Sequence, residues 1–246
     1  MKKKVALVLG GSGGIGFSAV ERLLIDGFQV CATYLKNKDE LEKIFDRFNP
    51  SLIEIFQCDL SHEKNIDSLI KEISLLHGKI DVIVFTATSK LINHRILDLE
   101  WDEYTNHFDV QVKPVFFVVK SLSTQLKEKY KTKFIILLTE YCIGTPPKGL
   151  SHYVTSKYAA MGMAKTMAVE LAQFGCTVNM ISPGMVETPL LDNLPLKLIE
   201  ITAYNNPLKR NAIPEDVSNL ISFLASDKSD YLNGTNIVVN GGGVVI

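Results

Sequence analysis

The sequence predicts a doubly wound α/β fold, a seven-stranded parallel sheet with helices on both faces. Three observations carry that prediction. Short β-branched runs alternate with longer helical patterns along the chain. The runs read as strands buried on both faces, which a parallel sheet covered by helices requires. A glycine-rich stretch separates the first run from the first helical pattern, where such folds turn sharply from strand into helix.

In chain order, the first strand is "VALVL" over 5–9, and a helix over 15–26 follows in "IGFSAVERLLID". "QVCAT" gives a strand over 29–33, with a helix over 39–48 behind it. "IEIFQ" is the third strand, over 53–57, and "EKNIDSLIKEISLL" the helix over 63–76. "VIVFT" spans 82–86 and leads to a long helical pattern over 101–129. "FIILL" over 134–138, a helix over 153–174 and "TVNMI" over 177–181 continue the alternation. A helix over 214–225 and a last strand, "NIVV" over 236–239, close it. The exception is 185–211, rich in Leu and Pro. An insertion there, near 185–212, falls at the carboxyl ends of the strands, where such folds bind ligands. No repeat, low-complexity tract or linker interrupts the chain, so one domain is expected over 1–246.

Composition narrows the function classes. Hydrophobic residues make up 46% and charged residues 22% of 246 residues, as in ordinary globular proteins. A net charge of −1 offers no global attraction to nucleic acid or an anionic membrane. The apolar run at 5–9 is too short for a signal peptide and stops at glycines. Cys31, Cys58, Cys142 and Cys176 lie far apart with no C-x-x-C spacing. That favours reduced, cytoplasmic thiols over a disulfide framework, and no metal site is expected.

"VALVLGGSGGIGFSAVERLL" sets Gly10-x-x-x-Gly14-x-Gly16 between a strand and a helix. Glycines let the backbone approach a pyrophosphate, and the helix N-terminus adds free N–H groups and a positive dipole end. Ser12 and Ile15 lie in the same loop and count with the glycines as candidate cofactor contacts. Dinucleotide sites often carry an acid at the end of the second strand. Here that place holds Thr33 and Tyr34, and Lys36 and Lys38 follow with no carboxylate before Asp39. This pattern suits a 2′-phosphate, hence NADP(H) over NAD(H); the alternative is a solvated lysine pair opening the next helix. Asp59, next to Leu60 after the third strand, either bonds an adenine amino group or caps the following helix.

Tyr153 and Lys157 are four apart, on one face of a helix. A nearby ammonium favours phenolate and lowers the phenol's pKa. The pair can shuttle a proton to or from a carbonyl oxygen while a nicotinamide moves a hydride.

Together these residues resemble the short-chain dehydrogenase/reductase superfamily, over essentially the whole chain. "NMISPGMVETP" and "FLASDKSDYLNGTNIVVNGGG" add to the likeness, which is greatest to the 3-oxoacyl-acyl-carrier-protein reductase branch. The resemblance implies a Rossmann-like fold, dimers or tetramers, and Asn179 as part of the active-site framework. It also implies nicotinamide contacts from Val186 and Thr188, with Pro183 and Gly184 in the same segment and Ala87 after the fourth strand.

The tetrad that the resemblance implies is altered. Its asparagine appears as Gln111, and its substrate-orienting serine aligns with Glu140, thirteen residues before Tyr153. The usual N-N-A-G is Phe85-Thr86-Ala87-Thr88, and Leu9 stands where a threonine is usual. An ionised carboxylate only accepts hydrogen bonds and would repel a developing oxyanion, whereas a protonated one could donate. Thr139 carries a hydroxyl, but on a continuing strand adjacent side chains face opposite ways, so it serves only if the strand end bulges or shifts. Tyr141 is a further donor if the loop turns inward.

Two functions follow. One is an NADP(H)-dependent reductase of a ketone or 3-oxoacyl substrate, carrier-bound or polyketide-like. The other is a catalytically weak or inactive subunit that partners an active paralogue in a hetero-oligomer. The leucine-rich 185–211 segment suits an apolar acyl substrate or simply a lid packed on the core. Lys127, Lys129, Lys131 and Lys133 could dock an acidic carrier protein or be a solvated helix end.

Overall fold

The computed structural model describes residues 3–245. β1 (Val5–Leu9), β2 (Gln29–Tyr34), β3 (Ile53–Gln57), β4 (Val82–Phe85), β5 (Lys133–Leu137), β6 (Thr177–Pro183) and β7 (Asn236–Val239) form one parallel sheet in the order β3-β2-β1-β4-β5-β6-β7. Alternation along each strand divides the core in two. On one face Leu7, Leu9, Phe134, Ile136 and Val178 meet helices α3 (Glu63–His77), α5 (Lys113–Ser121) and α7 (Ser151–Glu170). On the other, Ala6, Val8, Val84 and Ile135 meet α1 (Gly14–Ile25) and α9 (Pro214–Ala225). The chain thus has the Rossmann-like doubly wound fold that its strand pattern predicts.

The differences from the sequence reading are local. The helix expected over 39–48 shrinks to α2 (Asp39–Glu42) and a 3-10 turn. The pattern at 101–129 divides into α4 (Trp101–Gln111), α5 and α6 (Ser123–Lys127). Pro114 explains the first break: it has no N–H for the carbonyl four residues earlier, and its ring crowds that turn. Within 185–211 the chain forms α8 (Leu196–Asn205), a helix that the Leu/Pro composition did not reveal. Among the described residues no helix is long and apolar enough to cross a membrane.

The strand order reverses between β1 and β4. Doubly wound sheets open a crevice at the carboxyl ends of the strands at such a point. The glycine loop after β1 and the segment Thr86–Thr88 after β4 meet there.

Candidate active site

The glycine loop is shaped by close approach. Gly10 has φ +89°, and a Cβ there would stand 2.7 Å from the Ala87 backbone. A Cβ on Gly16 would come within 2.1 Å of the Gly10 carbonyl oxygen, and one on Gly14 within 2.5 Å of the Thr188 methyl. Two threonine hydroxyls hold the turn from outside. Thr33 Oγ1 accepts from Gly10 N at 2.9 Å, and Thr86 Oγ1 donates to the Leu9 carbonyl at 2.8 Å. Leu9 therefore lacks a hydroxyl that its neighbours supply.

Two adjoining clefts flank the loop. One, of about 210 Å³, is walled by Gly10, Ser12, Tyr34, Asp59, Leu60 and Ala87. The other, of about 420 Å³, runs along Gly14, Ile15 and Gly16 to Thr188. Asp59 lines the first cleft and also accepts from Ser61 N at 3.0 Å and Ser61 Oγ at 2.6 Å, which holds its carboxyl below the usual range. Lys36 is exposed and outside both clefts, and Lys38 pairs with Glu42 at 2.7 Å. Pro183 is buried at the end of β6, and Val186 bridges to Ala212. Asn179 ties β6 to the approach of β7, donating to Leu232 O at 2.8 Å and accepting from Thr235 N at 3.2 Å.

Tyr153 and Lys157 lie on the sheet-facing side of α7, 8% and 5% exposed. Lys157 Nζ donates to the Leu137 carbonyl at 2.7 Å and stands 5.7 Å from the centre of the Tyr153 ring. Burial lowers the Lys157 pKa to about 8. The sequence reading has the ammonium lowering the phenol's pKa; burial instead pushes Tyr153 up, because Leu150, Val154, Leu91 and Tyr141 enclose it. The polar group that acts on the phenol in the opposite direction is the Thr139 side chain.

That contact settles the geometry of residues 139 and 140. β5 ends at Leu137 and a 3-10 turn begins at Glu140, so strand alternation stops. Thr139 caps the turn, accepting from Tyr141 N at 3.4 Å, and its hydroxyl faces Tyr153. Glu140 turns elsewhere. Its Oε2 accepts from Asn240 Nδ2 at 3.0 Å, in a separate cleft of about 600 Å³ that also holds Gly184 and Asn211 and does not include Tyr153. Burial raises the Glu140 pKa, and the Asn240 hydrogen bond partly opposes it.

Gln111 is bound into a network. Its Nε2 donates to Thr88 Oγ1 at 2.8 Å and lies 3.0 Å from His107 Nδ1, while Ser156 Oγ donates to its Oε1 at 3.1 Å. Beside it a pocket of about 10 Å³, about the volume of one water, is lined by Val110, Gln111, Pro114, Leu137 and Lys157. The sequence reading missed the buried pair His107 and His152, whose rings meet edge to face at 4.7 Å, with His107 5.8 Å from Tyr153. Burial lowers the His107 pKa to about 4, so it is a neutral acceptor to Gln111 at pH 7. Helical spacing to Gln111 and adjacency to Tyr153 were the signals that could have found them. The site as a whole can position a carbonyl oxygen between a hydroxyl and a protonated phenol, with an ammonium one turn behind.

A fold of this order, a glycine loop at its switch point and a buried Tyr–Lys pair define a short-chain dehydrogenase/reductase. The chain belongs to that family: a family model described as enoyl-(acyl carrier protein) reductase matches residues 10–243. The chain is similar to 3-oxoacyl-[acyl-carrier-protein] reductase FabG of Staphylococcus epidermidis, 33% identical over 243 residues, covering 97% of this chain and 98% of that one. L-2,3-butanediol dehydrogenase of Corynebacterium glutamicum is 32% identical over 255 residues, covering 97% of this chain and 98% of that one. Among solved structures, "ElxO with NADP Bound" superimposes with a TM-score of 0.88 at 23% identity, over 99% of each chain, and shares the fold.

Proposed function

We propose that the protein is an NADP(H)-dependent reductase of a ketone or 3-oxoacyl substrate. The observation that carries this reading is the meeting of Thr139, Tyr153 and Lys157, with Lys157 lining a small pocket that shares Leu60, Ala87 and Val110 with the first glycine-loop cleft. A bound nicotinamide would supply the hydride, and the glycine cradle, which any Cβ would fill, fits its dinucleotide. Thr139, whose oxygen accepts from Tyr141 N, would turn its hydroxyl proton from Tyr153 to the substrate carbonyl. Tyr153 gives its proton to the same oxygen as charge develops, and a high phenol pKa keeps that proton in place until then. Lys157, through its ammonium, restores the proton and orients the ribose side of the site. A water in the small pocket beside Val110 and Gln111 would link Lys157 to solvent.

Glu140, Gln111 and the lost N-N-A-G are the features that favour an inactive partner subunit. The engagement of Glu140 with Asn240, away from Tyr153, favours the active reading. The missing acid after β2 supports NADP(H), and Lys36, which is exposed outside the clefts, would have to swing in to reach a 2′-phosphate. Asp59, Leu60, Tyr34 and Ala87 would receive the adenosine half, and Val186 and Thr188 the carboxamide. The segment 185–212 acts as the substrate-side cover of a single domain. Trp101 on α4 and Phe116 on α5 are exposed aromatic groups, which suits a homo-oligomer. Reduced, buried cysteines suit the cytoplasm. The relatives' names span acyl-carrier-protein and small diol chemistry. The test is therefore oxidation of NADPH, and separately of NADH, against 3-oxoacyl thioesters and small hydroxyketones. Turnover of a 3-oxoacyl thioester with NADPH supports the reading; no turnover of any of them defeats it.

A further inference from the structure

On the face of the sheet that α3 covers, three elements bring three kinds of metal-binding side chain together. Cys31 on β2 and Glu54 on β3 are direct partners in the parallel register and point to the same face. His77 ends α3, which packs on that face. One potential ligand atom from each lies within 4.8 Å of the others. We propose that Cys31, Glu54 and His77 form a binding site for one zinc-class divalent cation, with solvent as the fourth ligand.

The geometry is close to that of a metal centre. Bonds of about 2.0–2.3 Å at tetrahedral zinc put neighbouring ligand atoms roughly 3.3–3.8 Å apart. His77 Nε2 already stands 3.1 Å from the Glu54 carboxylate. The metal would enter between them, and Cys31 Sγ, within 4.8 Å of both, joins by side-chain rotation. Gln29 Nε2, 3.3 Å from Glu54 Oε1, steadies the carboxylate as outer-shell donors do. Charge supports the assignment. Thiolate, carboxylate and neutral imidazole around a doubly charged ion sum to zero, which the apolar core tolerates. The thiol proton leaves to solvent as the metal–sulfur bond forms. A thiolate with an imidazole selects zinc over magnesium or calcium. The Glu54 and His77 side chains are 33% and 15% exposed, which leaves a path for the ion and its water. The spacing 31, 54, 77 hides the trio from any short sequence pattern.

The test is titration of the chelator-treated full chain with CoCl₂, then ZnCl₂. Wild-type protein should bind one equivalent of Co²⁺ with a thiolate-to-cobalt charge-transfer band and tetrahedral visible bands, all displaced by Zn²⁺. Cys31→Ser should remove the charge-transfer band, and Glu54→Gln and His77→Gln should each weaken Zn²⁺ at least tenfold, with circular dichroism unchanged. Cys58→Ser should bind as wild type. No charge-transfer band in the wild type, or its persistence in Cys31→Ser, overturns the assignment. If Cys31→Ser fails to fold, unchanged Zn²⁺ affinity in Glu54→Gln and His77→Gln overturns it equally. None of these outcomes depends on reductase activity.

Discussion

Replacing Lys157 by methionine tests whether the site stores a conflict between stability and function. The ammonium is 5% exposed and its pKa falls to about 8. Against an ordinary lysine near 10.5, holding it charged in the fold costs ~3 kcal/mol at pH 7. Below pH 8 both the folded and unfolded forms are protonated and that cost is constant. Between about 8 and 10.5 the unfolded chain holds the extra proton, so stability rises with pH. Above that range both forms are neutral and the cost is gone. Methionine keeps the length of the side chain without the charge but removes the donor to the Leu137 carbonyl, which takes back ~1 kcal/mol. Lys157→Met should therefore be more stable than wild type by ~2 kcal/mol at pH 7, and the advantage should shrink by ~2 kcal/mol by pH 9.5. Urea unfolding of both proteins at the two pH values measures this directly, since other titrating groups cancel in the difference. Reductase turnover should be lost in the same variant. A variant less stable than wild type at pH 7, or with a difference that does not move with pH, would refute the reasoning.

Other substitutions separate the neighbouring roles. Glu140→Gln should leave turnover within about threefold, because the carboxylate serves Asn240 and not the substrate. It should also stabilise the fold at neutral pH: a buried carboxyl with a raised pKa is penalised where it is ionised, and that penalty is relieved as pH falls through the folded value. A tenfold change in kcat would contradict this. Gly16→Ala would press a Cβ onto the Gly10 carbonyl and Thr86 Oγ1, neither of which can yield freely. It should lower stability by ~1–3 kcal/mol and weaken NADPH binding, read by thermal melting and calorimetry, and unchanged values in both would speak against a tight cradle.

The strands were legible because a parallel sheet needs apolar runs, and helices between them leave little freedom in topology. What failed was governed by single residues. Pro114 breaks a pattern whose apolar spacing continues straight through it. Leu196–Asn205 lies in a segment whose leucines, with prolines at 189, 195 and 207, mark an insertion without revealing a helix. Glu140 aligned with a catalytic position by count from Tyr153, but the chain leaves the strand there, and counting along a strand cannot see a 3-10 turn. The His107–His152 contact joins residues 45 apart through α4 and α7, which only the packed fold brings together.

The central claim is that Thr139 and Tyr153 act on one substrate oxygen. It is tested most directly by steady-state NADPH oxidation against a 3-oxoacyl thioester in wild type, Tyr153→Phe and Thr139→Val, with NADPH affinity measured alongside. The account predicts losses of kcat of ~10²–10⁴-fold for Tyr153→Phe and at least ~10²-fold for Thr139→Val, with NADPH affinity nearly unchanged in both. Wild-type turnover that survives either substitution would contradict it.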